Sequence, residues 1–388
     1  MNPKKILASL CIVCSAAFSQ AQVKVLVNPG DLGEQSRFAI SSALKRVVEA
    51  AFRQDKVPTF TTMSYDSFAD LSATRTRLPD VIVAPAHVIG SALRYGYTPV
   101  LGLSKPLQAV LVASADGDIT DLAKAQGKRI GVTPEDSVLH YLLRGELQAS
   151  GTTIKRHFAR SYATKYQEAL LECMHMRMCD VVWVDEAVFD KWKAAGERLR
   201  AVARSKPVPG VSVAIKDGVS PGPEALRNSL MSNLSSVPAS FATQVGTIGS
   251  KEFEYVSTLG YFTPRNLTGA TLVDAREAQR LLKGGAIYID TRNDAEFQAG
   301  HVPGAKLVPY VEKSSKDVDF DPSQDQFDVS QLPPDKNSQL VLGCNGPECW
   351  KSFKAGTAAL KAGYKKIAWF RGGYPEWRSS VMQVADAR

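Results

Sequence analysis

Residues 23 to about 205 alternate between short apolar runs and longer segments with helical periodicity. The apolar runs are rich in valine and isoleucine, as buried strands of parallel sheets are: VKVLVN, PDVIVA, KRIGVT and CDVVWVD. Segments between them, such as SRFAISSALKRVVEAAF and EDSVLHYLLRGELQAS, place apolar residues at helical spacing. This alternation predicts an α/β fold with parallel sheets covered by helices, in which ligands bind beyond the carboxyl ends of the strands.

Two segments indicate that this region forms two lobes. LQAVLVASADGDI is predicted to be a strand that crosses out of the first lobe, before a new start at DLAKAQGKRIGVT. RLRAVARSKPVPGVSVAIKDG is predicted to be the returning strand, followed by a helix from about Pro223 to Leu234. A chain that leaves one lobe, builds a second and returns has a cleft between the two.

The pattern of strands and helices begins again at Leu272. We predict, in order, a helix (VDAREAQRLLKGG), the strands AIYIDTR and SQLVLGC, a helix (FKAGTAALKAGY) and the strand KIAWF. The polar and acidic segment 313–331 is predicted to be an exposed loop. The breaks divide the chain into residues 1–21, a bilobal domain over 22–250, a linker over 251–271 and a C-terminal domain over 272–388.

The first 21 residues have the layout of a secretory signal peptide. Lys4 and Lys5 precede an apolar run over residues 6–18, and Ser19-Gln20-Ala21 offers small residues at the cleavage positions. The mature protein is therefore expected in the periplasm. No other stretch approaches the roughly 18 apolar residues of a transmembrane helix, so no membrane span is expected after signal removal.

The formal net charge of +8 is spread along the chain without a dense basic block. This distribution argues against a nucleic-acid partner and favours attraction of small anions.

Cys344 stands between the strand SQLVLGC and a predicted helix from about Trp350 to Ala362. Gly346 and Pro347 indicate a tight turn, whose backbone N–H groups and helix start favour the thiolate, the nucleophilic form. Two alternatives stay open: a buried, unreactive cysteine, and a disulfide between Cys344 and Cys349, which an oxidising compartment permits.

The motifs IDTRNDAEFQAGHVPGA, LVLGC and LKAGYKKIAWFRGGYPEW, over about residues 265–380, resemble the rhodanese family. The resemblance implies a five-stranded parallel sheet and transfer of sulfane sulfur through a cysteine persulfide on Cys344. It also implies roles for residues of the other motifs: Asp290 and Arg292 as the strand-end acid and base, Glu296 and Gly300-His301 as bracing residues, and Arg371-Gly372-Gly373 with Trp377 as the closing motif.

The loop after Cys344 departs from the family pattern. It is about two residues longer and lacks the basic residue that often follows the cysteine, since it runs Asn345, Gly346, Pro347, Glu348, Cys349, Trp350, Lys351. Glu348 would repel an anionic donor, whereas Lys351 and Arg371 can supply positive charge. Cys349 can attack a persulfide on Cys344 and release sulfide, or it can form a dithiol switch with Cys344.

The N-terminal region resembles the periplasmic solute-binding proteins of the phosphonate-transport type. The resemblance rests on DVIVAPAHVIG with YGYTPV, on LAKAQGKRIGVTPEDS, on YQEALLECMHMRMCDVVWVDEAVFDKW and on ARSKPVPGVSVAIKDGVSP. It implies a bilobal (type II) fold that closes on a small molecule and that carries out no catalysis itself.

Several residues of this region are candidates for solute binding. Thr133 and Ser137 lie at a predicted helix start, where backbone N–H groups can hold an anion; a simple helix cap is an equally good interpretation of Ser137. Tyr65, the Ala86-His87 turn and Asp185 occupy other loop positions that face the predicted cleft. His87 itself is more often a packing or surface residue than a ligand.

The run CMHMRMC, from Cys173 to Cys179, allows three interpretations. Its sulfur and nitrogen donors suit Cu(I), its two cysteines can form a disulfide, and its methionines can pack into a core. Core packing is favoured, and we predict neither a metal site nor a cofactor.

Together these patterns predict an exported rhodanese-type sulfurtransferase with an attached solute-binding module. The expected partners are a small anionic or sulfur-containing solute and a periplasmic thiol or persulfide acceptor protein. The alternative is a non-catalytic or dithiol-redox accessory protein for a periplasmic oxidoreductase or transporter.

Overall fold

Three five-stranded sheets form the framework of the chain over the residues that the structure describes. The structure is a computed structural model, and it describes residues 22–30, 34–54, 57–234 and 246–382. The predicted signal peptide, residues 1–21, lies outside the described residues.

The described strands are β1 (Val23–Val27), β2 (Thr59–Met63), β3 (Val81–Ala84), β4 (Tyr97–Gly102), β5 (Ala109–Ser114), β6 (Arg129–Val132), β7 (Arg160–Ala163), β8 (Val181–Asp185), β9 (Leu199–Arg204), β10 (Ser212–Lys216), β11 (Thr271–Val273), β12 (Ile287–Asp290), β13 (Lys306–Leu307), β14 (Gln339–Gly343) and β15 (Lys366–Phe370). The described α-helices are α1 (Glu34–Gln54), α2 (Ser67–Arg75), α3 (Ala86–Ala92), α4 (Val138–Ala149), α5 (Ile154–His157), α6 (Glu168–His175), α7 (Glu186–Ala194), α8 (Pro223–Ser232), α9 (Glu254–Thr258), α10 (Ala275–Lys283), α11 (Asp294–Gln298), α12 (Lys351–Lys361) and α13 (Gly373–Trp377). None of these helices is both long and apolar enough to cross a bilayer.

The first sheet builds lobe 1, in the order β2-β1-β3-β10-β4. Strand β1 is parallel to β2 and β3, whereas β10 is antiparallel to both of its neighbours. The predicted apolar runs occupy β1 and β3, and every residue of β3 is buried because it lies inside the sheet. Helices α1 and α8 cover this sheet with their apolar faces.

The second sheet builds lobe 2, in the order β7-β6-β8-β5-β9. Strand β6 is parallel to β7 and β8, whereas β5 is antiparallel to β8 and β9. The two lobes therefore have the same arrangement, with one antiparallel strand inserted next to the edge.

The chain crosses between the lobes twice, from β4 to β5 and from β9 to β10. The crossing segments pair with each other, because the N–H groups of Leu107 and Val208 donate to each other's carbonyl oxygens at 2.8 Å. The prediction of one returning strand is wrong, since β9 stays in lobe 2 and β10 completes lobe 1. Pro207 and Pro209 lie between them, and proline cannot donate to a strand ladder.

The third sheet has the order β11-β15-β14-β12-β13, and all its strands are parallel. Buried residues of α10 and α13 belong to one core cluster of this domain. Ala355 and Ala359 of α12 belong to another. The predicted fold class, two α/β lobes followed by a domain with a parallel sheet, is confirmed.

The segment between lobe 1 and the third sheet is packed rather than extended. Val256 and Leu259, in and just after α9, contact glycines on facing helices of the two lobes. A Cβ atom at Gly90 of α3 would lie 3.2 Å from Val256, and one at Gly145 of α4 would lie 2.6 Å from Leu259. Much of the predicted linker is thus part of a core that both lobes and the C-terminal domain share.

The predicted exposed loop over 313–331 is only partly exposed. Ser314 is buried, and the carboxylate of Asp325 accepts hydrogen bonds from the backbone N–H groups of Lys313 and Ser314. The N–H of Lys316 donates to Glu135 of lobe 2 at 3.1 Å. The first part of the loop therefore packs against lobe 2, whereas residues 321–324 are exposed as predicted.

Candidate active site

The turn after β14 brings Cys344 and Cys349 together. The backbone N–H of Tyr374 donates to the carbonyl oxygen of Cys344 at 2.8 Å, and that of Cys349 donates to Gly346 at 2.9 Å. Gly346 has a φ of +100°, which residues with a side chain rarely adopt. The turn folds back on itself, so that the Cα atoms of the two cysteines are 6.2 Å apart and their sulfur atoms form a disulfide.

Both cysteines of this turn are covered. Cys344 is 1% exposed and Cys349 is 6% exposed. The prediction of an accessible Cys344 thiolate is wrong for this state, because the sulfur is bonded to Cys349 and lobe 1 lies over the turn. Both alternatives from the sequence, a buried cysteine and a Cys344–Cys349 disulfide, are present.

Helices α2 and α3 of lobe 1 provide the cover. Arg75 of α2 donates to the carboxylate of Glu348 at 2.5 Å, and the hydroxyl of Ser91 of α3 donates to the same oxygen at 3.0 Å. The side-chain amide of Asn345 donates to the hydroxyl of Ser72 of α2 at 2.6 Å. The residues that follow Cys344 are therefore bound to another domain.

The ion pair of Arg75 and Glu348 is almost inaccessible to solvent, since each side chain is 4% exposed. Burial lowers the pKa of Arg75, but the charge of Glu348 and the nearby Tyr95 and Tyr141 outweigh it, so the pKa is raised overall. The guanidinium stays charged, and Glu348, which the sequence predicts to repel anions, is compensated from lobe 1.

Asp290 and Arg292 bind each other instead of presenting free groups to the turn. The Nε atom of Arg292 is 2.9 Å from one oxygen of Asp290, and its Nη2 atom is 2.7 Å from the other. Nη2 also donates to the carbonyl oxygen of Gly300 at 2.8 Å, and the guanidinium lies 4.5 Å from the ring centre of Tyr374. This buried pair fixes the end of β12, which lies beside Gly343 in the sheet.

Glu296 and His301 have different positions relative to the turn. Glu296 accepts from the side chain of Asn345 at 2.6 Å and from the backbone N–H of Asn293 at 3.1 Å. His301 is exposed, stacks on Phe297 at 3.9 Å and makes no hydrogen bond to the Cys344 turn within the described part of the chain. Glu296 thus braces the turn as predicted, whereas His301 lies apart from it.

Residues 261–263, which precede the third sheet, also form hydrogen bonds with the turn. Thr263 uses its backbone N–H and its hydroxyl to donate to the carbonyl oxygen of Pro347, both at 2.8 Å. Arg371 donates to the hydroxyl of Thr263 at 3.0 Å and to its carbonyl oxygen at 2.8 Å. Burial and the nearby Arg265 lower the pKa of Arg371. The indole N–H of Trp350 donates to the carbonyl oxygen of Tyr261 at 2.6 Å.

A cavity of about 540 Å³ lies between α2 and the turn. Lobe 1 contributes Ser72 and Arg75 to its lining, and the C-terminal domain contributes Glu348, Cys349 and Lys351. Lys351, a predicted source of positive charge, thus faces a space next to the disulfide. Of the two cysteines, Cys349 lines this space and Cys344 does not.

Thr133 and Ser137 meet at the start of α4 in lobe 2. Their hydroxyl oxygens are 2.6 Å apart, and Ser137 accepts from the backbone N–H of His140 at 3.1 Å. Both residues are buried. The helix-cap interpretation of Ser137 is confirmed.

The Ala86-His87 turn of lobe 1 contacts the same loop of lobe 2. Ala86 is the first residue of α3, and the Nε2 atom of His87 is 2.9 Å from the carbonyl oxygen of Asp136. Burial lowers the pKa of His87 to about 3, so its ring is neutral where it packs on Tyr141. The backbone N–H of Ser67 donates to the Asp136 carboxylate at 2.9 Å. The lobes are closed on each other at this point, and His87 is a packing residue as expected.

Tyr65 and Asp185 contact residues of their own lobes. Tyr65 is half-exposed, and its hydroxyl is 3.5 Å from that of Ser41. Asp185 caps α7 by accepting from Ala187 at 3.1 Å, and its N–H donates to the side chain of Gln167. Burial raises the pKa of the Asp185 carboxyl. Thr133, Ser137 and His87 are thus brought together around Asp136, while Tyr65 and Asp185 have other contacts.

The cysteines of CMHMRMC form a second disulfide, with Cα atoms 5.3 Å apart. Cys173 and Cys179 are buried in the core of lobe 2, whereas Met176 and Met178 are exposed. No group of three or more histidine, cysteine or acidic side chains suited to a metal occurs among the described residues. The disulfide interpretation is confirmed, although the sequence pattern favours core packing without a disulfide.

Comparison with known proteins separates the two parts of the chain. Residues 274–380 match the family model of the rhodanese-like domain. Rhodanese-like domain-containing protein 15 of Arabidopsis thaliana is 31% identical over 30% of this chain, and the match spans 62% of that protein's own length. Thiosulfate sulfurtransferase 18 of the same plant is 34% identical over 27% of this chain and 76% of that protein.

The chain belongs to the rhodanese-like family. Ahead of its rhodanese-like domain, residues 81–237 match the periplasmic substrate-binding proteins of phosphonate ABC transporters. XAC2383 of Xanthomonas citri, solved bound to ATP, is similar in fold, with a TM-score of 0.50 and 16% identity over 62% of this chain and 97% of that one. Both predicted resemblances are confirmed, and the lobes form a solute-binding domain.

The residues that cover and hold the rhodanese-like turn are absent from the sequence prediction. They are Ser72, Arg75, Ser91, Tyr261 and Thr263, all outside the segments that resemble rhodanese. One signal pointed to them: Glu348 stands in a turn between a buried strand and a helix, and a carboxylate there needs a cation or several hydrogen bonds.

Proposed function

We propose that the rhodanese-like domain takes up sulfane sulfur on Cys344 and releases it as sulfide through Cys349. The proposal rests on one observation: Cys349 reaches disulfide distance of Cys344, the residue that the resemblance to rhodaneses implies as the nucleophile. Two of the relatives are named thiosulfate sulfurtransferases, which supports sulfane sulfur as the substrate class.

The chemistry requires two steps from the reduced protein. The Cys344 thiolate first attacks the outer sulfur of an organic persulfide, RSSH, which gives a Cys344 persulfide and the thiol RSH. The Cys349 thiolate then attacks the inner sulfur of that persulfide, so that the Cys344–Cys349 disulfide forms and HS⁻ leaves. The sulfane sulfur is reduced and the two thiols are oxidised; a dithiol reductant or acceptor protein restores them.

Access to the turn requires that α2 move away from it. Arg75 and Ser72 hold Glu348 and Asn345, and both cysteines are buried below them. We infer that the oxidised state is the covered one and that the reduced protein reacts when the solute-binding domain shifts. The solute-binding domain is proposed to take a small anionic or organosulfur solute in the periplasm.

Intact-mass analysis and sulfide detection test this function. The full chain is reduced, freed of reductant and incubated with an organic persulfide. The wild-type protein should release stoichiometric sulfide and end with a disulfide, whereas Cys349→Ser should keep one added sulfur on Cys344 and release none. Cys344→Ser should do neither, and the double variant C173S/C179S should behave as wild type.

The alternative function is a dithiol-redox or non-catalytic accessory of a periplasmic oxidoreductase or transporter. The burial of Cys344 under another domain favours it. If Cys349→Ser gains no sulfur while the wild-type pair still cycles between dithiol and disulfide, the sulfur-transfer proposal is wrong and the accessory role stands.

A further inference from the structure

A second cavity, of about 540 Å³, lies at the seam between lobe 1 and the rhodanese-like domain, on the Pro347 side of the turn. Its charged lining consists of four arginines and one carboxylate: Arg75, Arg77, Arg94, Arg378 and Glu376. The first three arginines come from lobe 1, whereas Arg378 and Glu376 belong to the rhodanese-like domain. Arg75 pairs with Glu348 of the disulfide turn, whereas Arg77, Arg94 and Arg378 pair with no residue of that turn among the described residues.

The positive charge of this cavity is only partly compensated. Arg75 is paired with Glu348, and Glu376 accepts from the backbone N–H of Ala275 at 2.8 Å. Arg77, Arg94 and Arg378 form no ion pair within 4 Å among the described residues, although the Asp217 carboxylate lies close to Arg77 beside Gly96. If Glu348 is counted against Arg75, the lining keeps three arginines and one carboxylate, Glu376. All three arginine side chains are exposed, so water and salt screen their mutual repulsion, but an anion that enters the cavity still meets an excess of positive charge.

Two of the arginines are held in place. The guanidinium of Arg94 donates to the carbonyl oxygen of Ser257 and lies 5.1 Å from the ring centre of Phe262. The side chain of Arg75 is 4% exposed, and its Nε–H has no hydrogen-bond partner among the described residues. Arg75 and Arg94 thus contribute fixed positive charge to the lining of the cavity.

We propose that this cavity binds a small molecule with at least two negative charges, such as a sulfur oxyanion or a phosphate ester. Guanidinium groups bind such oxyanions through paired hydrogen bonds. The cavity volume lies within the range of small-molecule sites, so an organic anion fits as well as an inorganic one. Because both domains contribute arginines, the bound anion bridges them beside the turn that carries Cys344.

Titration calorimetry of the full chain with thiosulfate, and separately with inorganic phosphate, tests the proposal. The variant R77Q/R378Q removes one cation from each domain without touching Arg75 or Glu348. A charge-matched control, R46Q/R198Q, removes two exposed arginines elsewhere. We expect R77Q/R378Q to weaken binding of at least one of the two anions by tenfold or more, and the control to change it less than twofold.

The outcomes separate this site from the solute-binding cleft. If neither anion binds, or if the two double variants bind equally well, there is no anion site at the seam and any binding belongs to the cleft. Loss of binding only in R77Q/R378Q, with an unchanged thermal midpoint in the absence of anion, supports the site. Sulfide release by Cys349 is measured separately, so failure of this inference leaves the proposed function untouched.

Discussion

The buried pair of Arg75 and Glu348 gives the sharpest test of how the solute-binding domain covers the turn. In Arg75→Gln the carboxylate of Glu348, 4% exposed, keeps the hydroxyl of Ser91 as its remaining close partner among the described residues. Breaking a buried ion pair by removing one partner costs about 3–5 kcal/mol. That is a large share of the roughly 5–15 kcal/mol that stabilises a typical domain.

The protein can avoid this cost by letting α2 separate from the turn, because Glu348 then reaches water. If the whole penalty of about 3–5 kcal/mol is relieved by local opening, the open population rises by roughly 10²- to 4 × 10³-fold, at 1.4 kcal/mol per factor of ten. Alkylation of the reduced cysteines with iodoacetamide reads out this population, because the open form reacts. We therefore expect the reduced cysteines of Arg75→Gln to be alkylated at least tenfold faster than those of wild type. If α2 does not separate fully from the turn, the remaining penalty should also lower the urea concentration at which the variant unfolds.

Two variants control this experiment. R75Q/E348Q removes both charges, so most of the loss should be recovered. Arg129→Gln breaks the pair with Asp180, whose side chains are 40% and 30% exposed, and should cost at most about 1 kcal/mol. Labelling of Arg75→Gln at the wild-type rate with unchanged stability, or a double variant as damaged as the single one, would refute the reasoning.

Three further predictions concern other parts of the fold. Burial raises the pKa of Asp70 to about 6 from 3.8, so ionisation of this carboxyl destabilises the fold increasingly as the pH rises from about 4 to 6, and fully above that. Asp70→Asn should stabilise the protein at pH 7 by roughly 2–3 kcal/mol, a gain that disappears as the pH falls from 6 to 4, in urea titrations compared with wild type at each pH. Thr263→Val removes a buried hydroxyl that donates to Pro347 and should cost about 1–2 kcal/mol, whereas Thr263→Ser should cost less; equal losses would contradict the role of the hydroxyl. Gly145→Ala should destabilise wild type, because the new Cβ would lie 2.6 Å from Leu259, but should stabilise a Leu259→Ala background by up to about 1 kcal/mol through helix propensity. Thermal unfolding of the four proteins checks this reversal, and the same sign in both backgrounds contradicts it.

The strands that the sequence predicted and those that it missed differ in their place in the sheets. The predicted runs β1, β3, β6, β8 and β14 are interior strands. All but β1, which exposes Lys24, are buried on both faces over most of their length, and this burial gives the continuous apolar pattern. The missed strands β2, β4, β7, β11 and β13 are all edges. Residues of β2 and β7 are half-buried or exposed, so their sequences TFTTM and RSYA carry no apolar run. Their position depends on neighbouring strands, which a local pattern does not contain.

The same distinction between local and long-range contacts separates the predicted from the unpredicted parts of the site. Cys344, Gly346 and Cys349 lie within six consecutive residues, so spacing alone indicated a turn that can close a disulfide. Ser72 and Arg75 lie more than 270 positions away, and they meet the turn only because lobe 1 docks on it.

The docking also changes the chemistry that the local sequence implies. Taken alone, the turn lacks the basic residue that often follows the cysteine in the family and carries Glu348, so it should repel anions. With Arg75 in place the acid is compensated, the cysteines are covered, and the arginines of lobe 1 lie along the seam instead of the loop. The solute-binding domain therefore adds positive charge near the turn to that of Lys351 in the rhodanese-like domain, and the added charge depends on whether the two domains are in contact. A rhodanese-like domain cut from this chain should for this reason differ from the full chain both in the reactivity of Cys344 and in its preference for neutral over anionic sulfur donors.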